Sequence, residues 1–264
     1  MSQNVYSGPF TNADRPRSSW RRFIPWVFVV ATIGGHIAWI LSPDDFRPYL
    51  TIGTVVTFFL ASATHAYLTR GAAWTGVFLL ISLAYGWLIE VLGTRTQFPF
   101  GDYTYSDALG IDVLGVPLVI PLAWSMMAYP ILLAVQSLFK TGLGVAVVGG
   151  WLLMAWDLFL DPQMVSQGYW VWNVSDWEIP GISGIPLQNF LGWWLAGIGL
   201  MFLLDRLPRI PAQDAVPNTL LIWTFASNVL AAAVFFNQPS VALWGGVAMG
   251  IVVFPWMWRL WSKA

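Results

Sequence analysis

The chain contains no cysteine, and this absence excludes several kinds of chemistry. Without a thiol there can be no disulfide, no thiolate nucleophile and no iron–sulfur cluster. Charge is also scarce, because Asp, Glu, Lys and Arg make up only 9% of the residues, against about a quarter in soluble domains. The 12 basic residues are balanced by 13 acidic ones, so the chain lacks the basic surface that a nucleic-acid backbone requires. Nucleic acid is therefore not an expected partner.

The motifs of several common enzyme classes are missing too. The chain shows no P-loop, no glycine fingerprint for dinucleotides, no zinc-protease helix and no nucleophile elbow. His36 and His65 have no second histidine three or four residues away, so they are expected to make polar contacts between helices. The first 20 residues lack the apolar core and cleavage site of a signal peptide. We expect no cleaved leader, no metal and no cofactor.

Apolar residues are abundant, at 57% of the chain, and the mean hydropathy is +0.65. A membrane-spanning helix needs about 20 mostly apolar residues, and eight stretches of about this length occur. They are 23–41, 50–68, 73–92, 116–139, 143–160, 185–204, 219–236 and 241–258. The predicted fold is an all-α integral membrane protein with one membrane domain at 23–258 and polar tails at 1–22 and 259–264.

The positions of Lys and Arg predict the orientation, because cytoplasmic loops carry the excess of these residues. With both termini inside the cell, ten basic residues are cytoplasmic and only Arg47 and Arg95 are outside. We therefore predict eight spans in the cytoplasmic membrane, with the N- and C-termini inside. The long connections at about 94–115 and 161–184 then lie outside, where loops of this length are usually functional.

One stretch of the sequence occurs twice. Glu90 precedes Gly101 of GDYTY by 11 residues, and Asp157 precedes Gly168 of GYWVW by the same spacing. Each copy continues with a Gly-x-Pro-Leu segment and has a tryptophan seven residues after the proline. The alternating aromatic residues in both copies predict short extended segments or caps.

The two copies, at about 84–128 and 151–197, both run helix, outer loop, helix. Both begin on the cytoplasmic side, so we predict parallel repeats related by an axis along the membrane normal. Such an axis brings equivalent positions together, and the acids of the two copies are predicted to form one site. The flanking spans carry no copy of the motif and are predicted to be supporting walls.

Acids inside the apolar spans are the main candidates for chemistry. Glu90 and Asp157 each lie in the outer part of a span, and Asp161 follows Asp157 at i+4, on the same helical face. A carboxylate at this depth is costly unless it is neutral or paired, and is functional by default. Acids that share an apolar site do not all ionise, so a protonated acid beside a carboxylate is the expected resting state. The structural alternative is a hydrogen bond or a cap, and Asp161 before Pro162 suits a helix end.

Four further polar residues are candidates for a supporting role. Gln188 and Asn189, near the start of the sixth span, and Asn228 in the seventh could orient a water or an acid. Arg95 could pair with Glu90 or with an acid of the outer loops.

Five motifs resemble those of a family of membrane carotenoid-biosynthesis proteins that includes carotenoid 1,2-hydratases of the bisanhydrobacterioruberin hydratase type. In chain order these motifs are GDYTY, LGVPLVIPLAWSMMAYP, AWDLFLDPQMV, GYWVW and GIPLQNFLGWW. The resemblance covers about 90–194, and the flanks agree only in hydropathy. It implies addition of water to the terminal 1,2 double bond of an acyclic ψ-end carotenoid, of the lycopene, γ-carotene or bisanhydrobacterioruberin type.

The implied mechanism is protonation of the alkene by Asp157 or Glu90, and capture of the tertiary cation by a water that the partner carboxylate polarises, with Asp161 as one candidate for that partner. Ring faces can stabilise such a cation. The implied substrate-binding residues are Tyr103, Tyr105, Trp124, Trp156, Trp170, Trp172, Trp193 and Asn189. The implied partners are a lipophilic carotenoid, water, the bilayer and other carotenoid-biosynthesis enzymes, with no cofactor.

Other functions fit parts of the pattern. A lycopene-cyclase-like enzyme would trap the same cation with an internal double bond. A prenyl-transferring enzyme would need basic residues for diphosphate, which are missing on the side of the acids. A proton-coupled transporter would place its acids near the membrane midplane, whereas Glu90 and Asp157 are nearer the outer end. A scaffold in a pigment-synthesis complex would tolerate substitution of the acids.

Overall fold

The computed structural model describes residues 19–173 and 177–262. Within these residues, eight helices are long and apolar enough to cross a membrane. They are α1 (Ile24–Leu41), α2 (Arg47–Arg70), α3 (Ala72–Thr96), α4 (Val119–Leu138), α5 (Gly142–Ser166), α6 (Leu187–Leu204), α7 (Ala215–Leu230) and α8 (Pro239–Trp261). The prediction of an all-α, multi-span membrane protein is confirmed. The outer parts of the predicted tails, 1–18 and 263–264, lie outside the described residues.

Helices form here because lipid offers no hydrogen bonds, so each backbone N–H and C=O must be paired within its own segment. The difference from the predicted boundaries that bears on the candidate acids concerns α5, which continues to Ser166 with Pro162 inside it. A proline removes one helical hydrogen bond, but here the helix runs on for another turn. The interpretation of Asp161 as a residue at a helix end is therefore wrong, and Asp161 is buried inside α5, one turn after Asp157.

The central helices are α4 and α5, most of whose residues are buried. Helix α4 contacts α2, α3 and α5, and α5 packs against α6 and α8. The α5–α6 contact is close at Gly150, where a Cβ would lie 2.6 Å from the backbone nitrogen of Ile198. Small residues permit such approach between membrane helices. This packing holds the first turns of α6 beside the second half of α5.

Short strands cover the ends of α3 and α5. The alternating aromatic residues form strands, and β1 (Tyr103–Tyr105) pairs antiparallel with β4 (Trp170–Trp172), a pairing that the sequence did not predict. Thr104 and Val171 are exposed at the centre of this ribbon. Because side chains alternate along a strand, the flanking aromatic side chains point to the other face, toward the helices. Two hairpins complete the loops: β2 (Asp112–Val113) with β3 (Val116–Pro117), and β5 (Glu178–Ile179) with β6 (Ile182–Pro186).

Candidate active site

A cavity of about 40 Å³ lies where α3, α4, α5 and α6 meet the β1–β4 ribbon. We call it the acid pocket, because its walls include all three candidate acids. Its lining residues are Glu90, Phe100, Tyr103, Tyr105, Ile120, Ala123, Trp124, Asp157, Leu160, Asp161, Trp170, Trp172, Asn189 and Trp193. A space of this size is large enough for water. The structure thus brings together every predicted site residue except Trp156.

Glu90 accepts hydrogen bonds from three side chains. Its Oε2 accepts from the Tyr103 hydroxyl at 2.5 Å and from the Tyr105 hydroxyl at 2.8 Å, and its Oε1 accepts from Trp124 Nε1–H at 2.9 Å. Burial, reinforced by the neighbouring Glu90 carboxylate, raises the pKa of both tyrosines well above that of a free tyrosine. Both therefore remain O–H donors. Three such donors favour the charged form of the Glu90 carboxyl group.

Asp161 is held in a similar way by the other copy of the motif. Its Oδ1 accepts hydrogen bonds from the indole N–H groups of Trp170 and Trp172, the latter at 3.2 Å. Its Oδ2 accepts from Nδ2 of Asn189 at 2.7 Å. Asp161 thus has three donors, like Glu90, although the repeat aligns Glu90 with Asp157.

Asp157 is the acid with the fewest partners. Its Oδ2 accepts from the same Asn189 nitrogen, at 2.8 Å. Its Oδ1 is buried and has no hydrogen-bond partner among the residues that the structure describes. Burying an unpaired polar atom is costly, above all when the group is charged. Of the three acids, Asp157 therefore has the least support for its charged form, and Asn189 joins it directly to Asp161.

Residues of the two sequence copies contact each other throughout the pocket. The β1–β4 ladder pairs Tyr103 with Trp172 and Tyr105 with Trp170. The indoles of Trp124 and Trp193, which hold equivalent positions in the two copies, stack with centroids 4.2 Å apart and planes at 1°. These contacts form an aromatic wall around the acids.

A cavity of about 500 Å³, which we call the large cavity, adjoins the acid pocket. Ile120, Ala123, Leu160 and Trp170 line both cavities. Trp156, the one predicted site residue outside the acid pocket, lines the large cavity and packs edge-on against Trp193, with centroids 5.9 Å apart. Pockets of this size bind small apolar ligands, and here a part of a longer chain would also fit.

The flanking helices do more than support the repeat. Helices α1, α2 and α7 supply much of the lining of the large cavity, together with the π-helical turn Ala231–Phe235 that follows α7. Leu41 on α1 and Leu230 on α7 line the cavity and are 79% and 55% exposed. Both residues therefore contact the large cavity and also the surface of the protein.

Sequence reasoning missed the apolar part of the site. Phe100, which directly precedes the glycine of GDYTY, packs against both Trp124 and Trp193, with centroids 6.5 and 6.1 Å away. Ala123 and Leu160 carry no chemical signal of their own. Their helical spacing from Trp124 and Asp157 could have placed them on the same faces.

Other candidates lie away from the pocket. His36 accepts a hydrogen bond from Trp223 Nε1–H at 3.0 Å, and His65 lies 2.8 Å from the Tyr129 hydroxyl, so both histidines make polar contacts between helices. Within residues 19–173 and 177–262, Arg95 takes part in no salt bridge. Its suggested ion pair with Glu90 is therefore not formed.

Comparison with known proteins places the chain in a family. The sequence profile described as "Carotenoid biosynthesis protein" matches residues 49–256, a range that contains the whole acid pocket. The chain belongs to this carotenoid biosynthesis protein family. Bisanhydrobacterioruberin hydratase of Haloarcula japonica is 30% identical over 192 residues, which cover 69% of this chain and 61% of that protein. The chain thus spans less than two thirds of this relative's length, and no solved structure matches it.

The range that matches the family covers only a part of the lining of the large cavity in this carotenoid biosynthesis protein. Its walls from α2, α4, α5 and α7 lie within residues 49–256. The wall from α1, including His36 and Leu41, lies before the matched range. The acid pocket is therefore entirely a part of the family region, whereas the large cavity extends beyond it.

Proposed function

We propose that this protein is a carotenoid 1,2-hydratase that adds water to the terminal double bond of an acyclic ψ-end carotenoid. One observation carries the proposal: a buried acid pocket, with an unpaired oxygen on Asp157, shares a wall with a much larger apolar cavity. An apolar chain in the large cavity can present its end to the acids across Ala123 and Leu160. The hydratase relative supports the same reaction class.

Asp157 is the proposed proton donor. A trisubstituted alkene is a weak base, so its protonation needs a neutral, desolvated acid close to the double bond. Asp157 is 1% exposed and has a single donor, from Asn189, so its protonated form is favoured over that of Glu90 or Asp161. The O–H bond of Asp157 breaks, a C–H bond forms at C2, and C1 becomes a tertiary cation.

Water then captures the cation. The proposed role of Asp161, which Asn189 joins to Asp157, is to polarise this water and take up the proton that it loses when the C1–O bond forms. The proton returns to Asp157 for the next cycle, so that one water is consumed per double bond. The faces of Trp124, Trp193 and Trp170 supply negative potential to the cation. Hydration transfers no electrons, so the reaction requires no redox cofactor.

We further propose that the acid pocket lies toward the outer side of the cytoplasmic membrane, with both termini inside. The excess of Lys and Arg on the opposite side of the membrane supports this orientation. Glu90 is six residues before the end of α3, which places it about 9 Å along the helix from that end. The substrate would reach the pocket sideways from the bilayer, between α1 and α7.

The symmetric contacts support a pseudo-two-fold axis between the repeats at about 84–128 and 151–197. Thr104 and Val171, which are equivalent in the two copies, pair with each other at the centre of the β1–β4 ladder. On either side, Tyr103 pairs with Trp172 and Tyr105 pairs with Trp170. Because the repeat makes Tyr103 equivalent to Trp170 and Tyr105 equivalent to Trp172, a two-fold axis through the central pair would exchange these two pairs. Glu90 and Asp161, one from each repeat, would then be the acids that accept hydrogen bonds from side chains of the paired strands.

Isotopic labelling of the product tests the proposed reaction. Membranes with the wild-type protein are supplied with lycopene in ¹⁸O-labelled heavy water, and membranes without the protein are the control. We expect one ¹⁸O atom at C1 and one carbon-bound deuterium at C2 for each end that reacts. Ring formation at constant oxygen content would identify a cyclase instead. If lycopene and every other ψ-end carotenoid supplied remain unchanged, both the hydratase and the cyclase activity are refuted.

A further inference from the structure

A polar patch lies on the wall that α1 and α7 contribute to the large cavity. His36 of α1 and Trp223, Ser227 and Asn228 of α7 all line the cavity there. We call these four residues the His36 patch. Ionisable side chains such as that of His36 are rare within membrane helices, where they are candidates for a functional site.

The hydrogen bond from Trp223 fixes the proton of His36. The indole Nε1–H donates to Nδ1 of His36 at 3.0 Å. A nitrogen that accepts a hydrogen bond carries no proton, so the proton of the neutral imidazole is on Nε2. Within the described part of the chain, this N–H has no protein acceptor. His36, a lining residue of the large cavity, therefore carries an N–H group that the described part of the protein leaves without an acceptor.

Two hydroxyl groups on α7 differ in their hydrogen bonding. Thr224 donates to the backbone carbonyl of Leu220 at 2.8 Å, as hydroxyl groups in membrane helices commonly do. Ser227, three residues later, lines the large cavity as Thr224 does, but it makes no such bond within residues 19–173 and 177–262. Polar groups in lipid are costly when unpaired. The His36 patch thus suits a ligand that brings a polar group with it.

The patch lies on a different wall from the acid pocket. Residues shared by the two cavities belong to α4, α5 and β4, whereas His36 and Ser227 belong to α1 and α7. A carotenoid whose reacting end is in the acid pocket therefore meets the patch with a more distant part of its chain.

We propose that the His36 patch binds a hydroxyl group that the carotenoid substrate carries away from the double bond being hydrated; this inference rests on the proposed hydratase function. A hydroxyl group accepts the hydrogen bond of His36 Nε2–H and donates to an oxygen of Ser227 or Asn228. A hydrocarbon carotenoid leaves these groups unpaired, and a site built to bond a hydroxyl group rejects an analogue that lacks it. The patch selects hydroxylated carotenoids.

Competition between two substrates tests this selectivity. Two carotenoids with the same reacting ψ-end, one a hydrocarbon and one with a hydroxyl group along the chain, are mixed in vesicles that contain the protein. We expect the wild type to hydrate the hydroxylated one faster. Ser227→Ala should lower this preference by about three- to tenfold, as for the loss of one neutral hydrogen bond. Thr224→Val is the matched control, and it should keep the preference because its hydroxyl group is already bonded within α7.

The possible failures point to different causes. Equal rates for the two carotenoids with the wild type would overturn hydroxyl recognition, as would equal losses of preference in Ser227→Ala and Thr224→Val. A proportional fall of both rates in Ser227→Ala would show that the residue is structural, and would also overturn the proposal. No hydration of either carotenoid by the wild type would instead overturn the proposed function.

Discussion

Among the described residues, the buried charged side chains form two clusters that are built in opposite ways. The first surrounds Arg70, the last residue of α2, which is 3% exposed. Its guanidinium donates to Asp214 and to the Tyr129 hydroxyl, both at 2.7 Å. His65 Nε2–H donates to the carbonyl of Gln213 at 3.0 Å, so its Nδ1 accepts from Tyr129 O–H at 2.8 Å. In this cluster a cation faces an anion, and these groups all have partners.

The acid pocket is the second cluster, and it leaves its charges unbalanced. Glu90, Asp157 and Asp161 share one cavity whose lining contains no cation within the described residues, and Oδ1 of Asp157 has no partner there. A fully paired buried cluster is typical of a structural role, whereas a buried cluster without counter-charges is a candidate for chemistry. The comparison teaches that burial of charge alone does not identify a candidate site in this protein; three acids around one cavity, with no cation in its described lining, do.

The largest expected effect comes from the unpaired acid. Asp157→Asn should lower hydration by about 10²–10⁴-fold, because the general acid is lost. The amide has the shape of the carboxyl group, so the unfolding temperature should stay close to that of the wild type. Pigment analysis per inserted protein and thermal unfolding in detergent measure the two effects.

The control for this change is Asp107→Asn, an acid exposed in the loop after β1. It should leave both activity and stability unchanged. Full activity in Asp157→Asn would remove Asp157 as the proton donor.

A substitution in the cluster around Arg70 should lower stability and leave activity unchanged. Asp214→Asn leaves Arg70 buried without its carboxylate, and we expect a loss of about 3 kcal/mol in the free energy of unfolding. This is the low end for a broken buried ion pair, because the Asp214 side chain is 26% exposed. Hydration per folded molecule should not change. Denaturant titration in detergent and pigment analysis of the same preparation check both statements.

An exposed ion pair provides the control. Asp44 pairs with Arg47 at 2.5 Å but is 84% exposed, so Asp44→Asn should have little effect on stability. A loss in Asp44→Asn as large as that in Asp214→Asn would mean that burial does not set the strength of these pairs.

The bridge between two acids should have an intermediate effect. Asn189→Leu removes the donor that Asp157 and Asp161 share, and hydration should fall by about 10- to 100-fold, as for a lost hydrogen bond to a charged group. Gln188→Leu is the matched control, because this neighbouring amide bonds backbone carbonyls of Gln97 and Pro99 outside the pocket. Equal losses in the two variants would show that Asn189 acts only through packing.

Much of the fold could be predicted, because lipid forces each span to be an apolar helix of nearly fixed length. The residues of the candidate site could be predicted for a different reason. The equal spacing of Glu90 and Asp157 from a glycine marked two acids, and the alternating aromatic residues marked the strands that cover them. Ten of the eleven predicted site residues line one pocket, although their catalytic roles remain predictions.

Pairing across long sequence distances could not be predicted. Sequence spacing aligns Glu90 with Asp157, but hydrogen bonds depend on side-chain reach, and the paired strands serve Glu90 and Asp161. Counting charges placed Arg70 at the cytoplasmic boundary without revealing its burial. Its partner Asp214 is 144 residues away, in a connection where no periodicity signals the contact.

The smallest effects provide the closest comparison, because one hydroxyl group can be deleted from each cluster. Tyr129→Phe removes the link between Arg70 and His65, and we expect a loss of about 1–2 kcal/mol in the free energy of unfolding with unchanged hydration. Tyr103→Phe removes a donor to Glu90, and we expect hydration to fall several-fold with a smaller loss of stability, because Tyr105 and Trp124 still hold the carboxylate. Both variants are measured by denaturant titration and pigment analysis. If they change activity and stability in the same ratio, the two clusters do not differ in kind, and the unpaired oxygen of Asp157 loses its significance.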